Sequence, residues 1–201
     1  MKKCLISLFP LLMLLAAFPI ASAEATSVKI VPQSYEAFDP PVSNIILNVT
    51  VENVQEMVGY EIYIFFNSSI LTCNDIILPS DFVYAGHGYL ETAKLIDNDK
   101  GEIHYGVSTF PFYKFNGSGV LCQLNFTGEA LGDSDIIIVT PDMGTAFYTQ
   151  LLNENAEEIP YTAYNGVVTV IPEFSPLVLL TLIAMASTSI ILLRKRKKEK
   201  E

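Results

Sequence analysis

Residues 59–67, GYEIYIFFN, carry the strand pattern on which the predicted fold is built. In an extended chain, successive side chains point to opposite faces, and here both faces receive large apolar groups. One face takes Tyr60, Ile62, Ile64 and Phe66, and the other takes Glu61, Tyr63, Phe65 and Asn67. This pattern predicts a strand that buries one face in a core and presents aromatic groups on the second.

The same period of two continues on both sides of this stretch. Residues 44–52, NIILNVTVE, place Ile45, Leu47, Val49 and Val51 on one face. Further strands are predicted at residues 28–31, 70–73, 89–94, 103–108, 120–127, 136–140 and 166–170, with turns at 97–101, 116–119 and 132–135. Short strands at this spacing predict an all-β domain, a two-sheet sandwich with jelly-roll or Greek-key connections.

The charge of this β-rich segment excludes one class of partner. Residues 24–171 contain four lysines against 19 acidic residues, a net charge of −15. Four scattered lysines cannot form a basic patch, so the sequence predicts no nucleic-acid partner.

Both ends of the chain are apolar and predict export to the cell surface. Residues 1–23 have the layout of a signal peptide, with Lys2 and Lys3 before an apolar run and Ala21-Ser22-Ala23 after it; an uncleaved membrane helix is the alternative. Residues 177–193 are uncharged, and the basic segment 194–201 follows. This predicts one transmembrane helix with a cytoplasmic tail and residues 24–171 outside, the alternative being a buried core helix.

Two features agree with an extracellular domain. Cys73 and Cys122 remain as an even pair after removal of the signal peptide, which predicts a disulfide, with two buried free thiols as the alternative. Four N-x-[ST] sequons predict N-glycosylation, at Asn48, Asn67, Asn116 and Asn125.

Five segments resemble, in order, motifs of the cohesin domain. Residues 49–54, VTVENV, are similar to the cohesin pattern V-x-V-x-N-V, and residues 59–71 to its G-[YF]…Y-D-x-x-x-L strand, with Phe66-Asn67 in place of Tyr-Asp. Residues 101–104 resemble the G-x-I strand, 119–126 the G-x-L-x-x-[IL]-x-F strand and 165–170 the closing N-G-x-[IV]-x-V. The resemblance covers nearly all of residues 24–171 and implies a cohesin-like sandwich, a fold that related carbohydrate-binding modules share.

The resemblance also implies a partner and a face that binds it. Cohesins hold a calcium-loaded dockerin on one sheet, whose strands correspond here to residues 59–67, 103–108 and 120–127. The outward residues of that sheet are expected to be Tyr63, Phe65, Glu102, His104 and Gln123. Strand parity places Asn67 and Asn125 on the same face, where glycans would obstruct docking. The alternative is that a loop covers Tyr63 and Phe65.

A second resemblance lies in the tail. Residues 172–176 begin with Pro172-Glu173-Phe174, directly before the apolar span and its basic cluster. This arrangement is similar to the PEF-CTERM sorting signal of archaeal surface proteins, which implies an archaeosortase as a further partner. The alternative is a polar cap to an ordinary membrane anchor.

The sequence contains few residue patterns that are typical of catalytic sites. The acid pairs Asp97 with Asp99 and Asp133 with Asp135 lie in predicted turns, and no residue pattern predicts a metal site or a cofactor. The chain is therefore expected to be a non-enzymatic, cell-surface, cohesin-like module that docks a dockerin-bearing partner in polysaccharide binding or degradation. The alternative is a carbohydrate-binding or structural, adhesive envelope glycoprotein, with a glycosidase third.

Overall fold

The computed structural model describes residues 24–172, which form twelve strands and one short 3₁₀ turn, Pro141–Met143. The strands are β1 (Ser27–Val31), β2 (Ser34–Phe38), β3 (Val42–Met57), β4 (Gly59–Phe65), β5 (Leu71–Ile77), β6 (Tyr89–Asp97), β7 (Glu102–Thr109), β8 (Phe115–Gly128), β9 (Gly132–Ile138), β10 (Gln150–Leu152), β11 (Thr162–Tyr164) and β12 (Gly166–Ile171).

These strands form two sheets, as the sequence predicted. One sheet has five strands in the order β11-β1-β3-β8-β5. The other has seven, in the order β2-β12-β9-β4-β7-β6 with β10 paired to β4. Most neighbouring strands are antiparallel. The exceptions are the pairs β1–β11 and β2–β12, which are parallel. The all-β, two-sheet sandwich is confirmed.

The core lies between the sheets and follows the period of two in β3 and β4. Ile45, Leu47, Val49 and Val51 of β3 are buried, and so are Tyr60, Ile62 and Ile64 of β4. The hydroxyl of Tyr60 crosses the core and donates a hydrogen bond to the carbonyl oxygen of Leu121 on β8, at 2.7 Å. A buried polar group needs such a partner, because an unpaired one costs free energy.

Several boundaries differ from the prediction. Residues 97–101 do form a turn, with Gly101 at a φ of +70°. Residues 132–135, predicted as a turn, instead begin β9, where Ser134 is buried opposite Val168 of β12. Residues 116–119, also predicted as a turn, lie inside β8, which pairs irregularly with β3 there. Polar residues are frequent in turns, but they also occur in strands. Here, pairing with distant strands outweighs the local preference for a turn.

The sheet assignment of residues 120–127 was wrong. They belong to β8, which pairs with β3 and β5 in the five-stranded sheet, whereas β4 and β7 lie in the other sheet. Alternation along a strand shows which side chains share a face but not which strands are its neighbours.

The disulfide prediction was also wrong, because Cys73 and Cys122 are both buried free thiols. They lie on adjacent strands, but Cys73 pairs with Phe126, four residues beyond Cys122. Four residues correspond to about 13 Å along a strand. A disulfide requires Cα atoms within about 7 Å, so the strand register keeps the two thiols apart.

Several predicted segments lie outside the described residues. These are the signal peptide over residues 1–23, Glu173 and Phe174 of the sorting motif, the span 177–193 and the basic segment 194–201. Within residues 24–172, no helix is long and apolar enough to cross a membrane.

Candidate functional site

The outer face of β4 and β7 brings together four of the five predicted partner-binding residues. Tyr63 pairs with His104 across the two strands, and Phe65 pairs with Glu102. Directly opposed residues in an antiparallel pair have neighbouring side chains on the same side of the sheet. We call these four residues, with Leu95 of β6 and Phe147, the aromatic face.

Three aromatic side chains of this face form a column. The ring of Tyr63 lies 4.0 Å from the imidazole of His104 and 5.7 Å from the ring of Phe147, centroid to centroid. The interplanar angles are 15° and 10°, so the three rings are nearly parallel. Phe147 forms the outer end of the column, and 67% of its surface is exposed.

The position of Phe147 depends on the loop between β9 and β10. Thr149, at the end of that loop, is buried, and its hydroxyl accepts a hydrogen bond from the backbone N–H of Tyr63 at 3.0 Å. The same hydroxyl lies 3.2 Å from the carbonyl oxygen of Tyr63, to which it donates. These contacts hold the loop against β4, with Phe147 over one side of Tyr63. The loop therefore covers part of the Tyr63 ring and leaves Phe65 half-buried.

A hollow of about 560 Å³ opens beside the column. It is lined mainly by apolar side chains, and its polar groups are supplied by Glu102, His104 and Thr145. Leu95, on the neighbouring strand β6, forms part of the wall and is 61% exposed. A concave apolar site with a few polar groups at its rim is typical of a binding surface.

The charge on this face is negative. Glu61 and Glu102 lie on its two central strands, and the Glu61 carboxylate is 3.7 Å from Nε2 of His104. Burial raises the pKa of the Tyr63 hydroxyl, and the nearby charge of Glu61 raises it further. The four lysines of residues 24–172 form ion pairs with acids other than Glu61 and Glu102: Lys29 with Glu52, Lys94 with Asp75, Lys100 with Asp97, and Lys114 with Glu56 and Glu154.

The fifth predicted residue, Gln123, does not belong to this face. It lies on β8 in the opposite sheet, where its amide donates a hydrogen bond to the side-chain oxygen of Asn48 at 2.9 Å. Conversely, the sequence prediction missed Leu95 and Phe147. Leu95 lies one residue beyond the predicted end of its strand. Phe147 lies in a loop, and no local pattern marks its contact with Tyr63.

The sequons occupy different parts of the molecule, contrary to the expectation for two of them. Asn67 follows β4 in the seven-stranded sheet, whereas Asn125 lies on β8 in the five-stranded one, so the two do not share a face. Asn48 is on β3 beside Gln123, and Asn116 is near the start of β8. Among the four, Asn67 is the one at the end of a strand of the aromatic face.

The two acid pairs lie at the turn that follows β6 and on β9. Asp97 lies at the turn after β6, where the Lys100 ammonium holds the pKa of its carboxyl below its ordinary value. Asp133 and Asp135 are exposed on β9. Within residues 24–172, no group of three or more His, Cys, Asp or Glu side chains is placed to hold a metal ion. Pro172, the first residue of the sorting motif, is exposed at the end of the described chain.

Comparison with known proteins identifies the fold. No family model and no curated protein matches the sequence. Among solved structures, the chain is similar to a non-cellulosomal cohesin from the hyperthermophilic archaeon Archaeoglobus fulgidus, with a TM-score of 0.53 and 12% identity over 74% of this chain and 92% of that one.

Two further similar structures are cohesins in complex with dockerins. The third cohesin ScaC of Acetivibrio cellulolyticus, with the ScaB dockerin, has a TM-score of 0.56 at 15% identity, covering 73% of this chain and 99% of that one. The cohesin CaCohA2 of Clostridium acetobutylicum, with the dockerin CaDoc0917, has a TM-score of 0.55 at 20% identity, covering 73% and 100%. Residues 24–172 thus have the fold of cohesin domains.

Proposed function

We propose that this chain is a non-enzymatic docking module that binds a dockerin-type protein through the aromatic face. One observation carries the proposal, the column of Phe147, Tyr63 and His104 beside an open apolar hollow. The fold adds support, because cohesins of the same fold have been solved with dockerins bound.

The composition of the aromatic face suits a protein partner. Interface centres are enriched in aromatic side chains, and a few such residues contribute most of the binding free energy. Tyr63 and Phe147 supply that centre, while Glu102 and His104 supply hydrogen-bonding groups beside it. Because Glu61 and Glu102 make the face negative, we expect a partner surface that combines apolar and cationic side chains.

We further propose that the domain is exported and held at the cell surface. The support is in the sequence, namely the signal-peptide pattern over residues 1–23 and the apolar span 177–193 before the basic segment 194–201. Pro172-Glu173-Phe174 would direct removal of that span by an archaeosortase. A shift in the mass of the mature protein, measured on the membrane fraction, distinguishes a cleaved tail from a retained anchor.

The test of docking is a calorimetric titration of the full chain with calcium-loaded dockerin modules from the same organism. We expect binding in the presence of calcium, because the resemblance to cohesins implies a calcium-loaded dockerin as the partner. Tyr63→Ala should weaken binding by roughly 30-fold or more, the effect of losing about 2 kcal/mol at an interface centre. Gln123→Ala is the matched control, since Gln123 lies on the opposite sheet. Equal losses in both variants would contradict the proposed face.

A second candidate is carbohydrate binding on the same face. The rings of Tyr63 and Phe147 lie within 10° of parallel, which gives a flat aromatic surface of the kind on which sugar rings stack. Titration with oligosaccharides separates the candidates, because a sugar-binding module responds to them without a dockerin. Binding of neither ligand would favour a structural, adhesive role in the envelope.

A further inference from the structure

The four sequons differ in the hydrogen bonds of the asparagine amide and of the sequon hydroxyl. Asn67 is exposed in the turn after β4, and its side-chain oxygen accepts two hydrogen bonds from Ser69. The Ser69 hydroxyl donates at 2.6 Å and the Ser69 backbone N–H donates at 3.1 Å. The sequon hydroxyl therefore contacts the amide of its own asparagine.

The amide nitrogen of Asn67 is left available by this arrangement. Both bonds end on the oxygen, and the nitrogen Nδ2 makes no hydrogen bond to any residue between 24 and 172. Because Ser69 is also exposed, an enzyme can approach the whole tripeptide. An exposed turn is the setting in which a sequon can enter a transferase.

The two sequons within strands are arranged differently. The oxygen of Asn48 accepts a hydrogen bond from Gln123, and the hydroxyl of Thr50 donates to the carbonyl oxygen of Lys29. The oxygen of Asn125 is buried, and the hydroxyl of Thr127 accepts from Asn74. In a strand, residues two apart are separated by about 6.6 Å. The hydroxyl therefore stays with other partners and away from its own asparagine.

The fourth sequon, at Asn116, is held by β3. Its side-chain oxygen accepts from the backbone N–H of Glu56 at 2.9 Å, and its nitrogen donates to the carbonyl oxygen of Lys114 at 3.5 Å. The hydroxyl of Ser118 accepts from the backbone N–H of Asn53. Both polar atoms of the Asn116 amide and the sequon hydroxyl are thus occupied within the fold.

From these contacts we infer that Asn67 is the N-glycosylation site of the folded protein and that Asn48, Asn116 and Asn125 are not modified once the sandwich has formed. The donor is an oligosaccharide linked to a polyprenyl diphosphate. Nδ2 of Asn67 forms a bond to C1 of the first sugar and gives up one proton to a base of the transferase. The bond from C1 to the diphosphate oxygen breaks, and its electron pair leaves with the polyprenyl diphosphate.

This position places the glycan at the end of the aromatic face. Asn67 borders a shallow hollow with Phe65 and Asp133. Tyr63 lies four residues upstream of Asn67, about 13 Å away along an extended chain. A glycan on Asn67 would therefore be attached at the edge of the aromatic face, about 13 Å along the strand from Tyr63.

The test is glycosylation of the folded full chain in vitro, with membranes that contain an oligosaccharyltransferase and a polyprenyl-linked oligosaccharide. Four synthetic peptides, one for each sequon, serve as substrates in parallel. Glycopeptide mass spectrometry should find Asn67 modified in the folded chain, and all four asparagines modified in the peptides. Because the assay starts from purified protein, its result does not depend on export or on docking.

Two variants complete the test. Ser69→Ala should abolish modification of the folded chain, whereas Thr127→Ala, which destroys the sequon of Asn125, should leave the added mass unchanged. Circular dichroism establishes that both variants are folded. Modification of folded Asn48, Asn116 or Asn125 to the extent found in its peptide would overturn the inference. So would an unmodified Asn67 in the folded chain when its peptide is modified.

Discussion

The ring of Tyr63 lies nearly parallel to the imidazole of His104, with 4.0 Å between centroids and 15° between planes. The two residues are directly opposed on β4 and β7, so the sheet itself sets their spacing. Phe147 extends the stack from a loop. Strand pairing therefore fixes the positions of Tyr63 and His104. The position of Phe147 depends on the loop that Thr149 attaches to β4.

The outermost ring should matter for binding and not for stability. Phe147→Ala removes a side chain that is 67% exposed, so we expect the free energy of unfolding to change by no more than about 0.5 kcal/mol. Affinity for the dockerin or sugar that binds the chain should fall roughly tenfold. Calorimetric titration and urea unfolding measure the two effects. Phe38→Ala is the control, since Phe38 is 51% exposed on β2, which β12 and β9 separate from β4. An equal loss of affinity in that variant would argue against the column.

The hydroxyl of Thr149 should position the loop that carries Phe147. Thr149→Val keeps the shape of the side chain but leaves the backbone N–H of Tyr63 without its acceptor. We expect the free energy of unfolding to fall by about 1–2 kcal/mol, together with a loss of ligand affinity. Thr149→Ser retains the hydroxyl and should preserve affinity. If the valine variant binds normally, the loop is held by other contacts.

Two buried tyrosines should respond in opposite ways to loss of the hydroxyl. Tyr60 donates to the carbonyl oxygen of Leu121, whereas the hydroxyl of Tyr84 is buried with no partner among residues 24–172. Tyr60→Phe should lower the free energy of unfolding by about 1 kcal/mol, while Tyr84→Phe should leave it unchanged or raise it. Urea unfolding of both variants measures the difference. Similar losses would show that Tyr84 has a partner, such as a buried water molecule.

Stability should decline at alkaline pH because of the two thiols. Burial raises the pKa of Cys73 to about 12 and also raises that of Cys122, where a negative charge on Cys73 would add to the effect. An unfolded thiol has a pKa of about 8.5, so above that pH the unfolded chain loses protons that the folded chain keeps. The contribution of the two thiols to the free energy of unfolding should stay constant below about pH 8 and then fall towards pH 12.

Urea unfolding at pH 7.5 and 9.5 measures this decline. We expect a loss of roughly 1 kcal/mol for each thiol over that interval, where unfolded tyrosines are still mostly protonated. A variant with both Cys73→Ala and Cys122→Ala is the control, and its stability should change little between the two pH values. A decline of the same size in that variant would assign the effect to other groups.

A reducing agent should have no effect on the fold. Cys73 and Cys122 are free thiols, so dithiothreitol should leave the thermal unfolding midpoint unchanged. Thiol titration should detect two reactive groups per mature chain in denaturant and none in the folded protein, because both side chains are buried. A midpoint that drops on reduction would show instead that the chain can form the disulfide.

Local alternation in the sequence was enough to predict most of the strands and their buried faces. Side chains alternate along any extended chain, so the apolar residues at 45, 47, 49 and 51, and at 60, 62 and 64, identify the core side of β3 and β4 wherever those strands pair. The same local rule placed Tyr63 and Phe65 outward. The strands β2, β10 and β11 escaped prediction. β10 and β11 have only three residues each, and in β2 only Ala37 is buried, so none of them shows a clear alternation.

Which strands are neighbours depends on contacts between distant parts of the chain. Every strand offers the same backbone donors and acceptors, so β8 could in principle have paired with β4, and only packing over the whole sandwich places it beside β3 and β5. Because β8 pairs with β3 and β5, Gln123 and Asn125 lie outside the aromatic face. The register between β8 and β5 also separates Cys73 from Cys122. The tertiary structure also brought Phe147 onto Tyr63, a contact between residues 84 positions apart that no local pattern encodes.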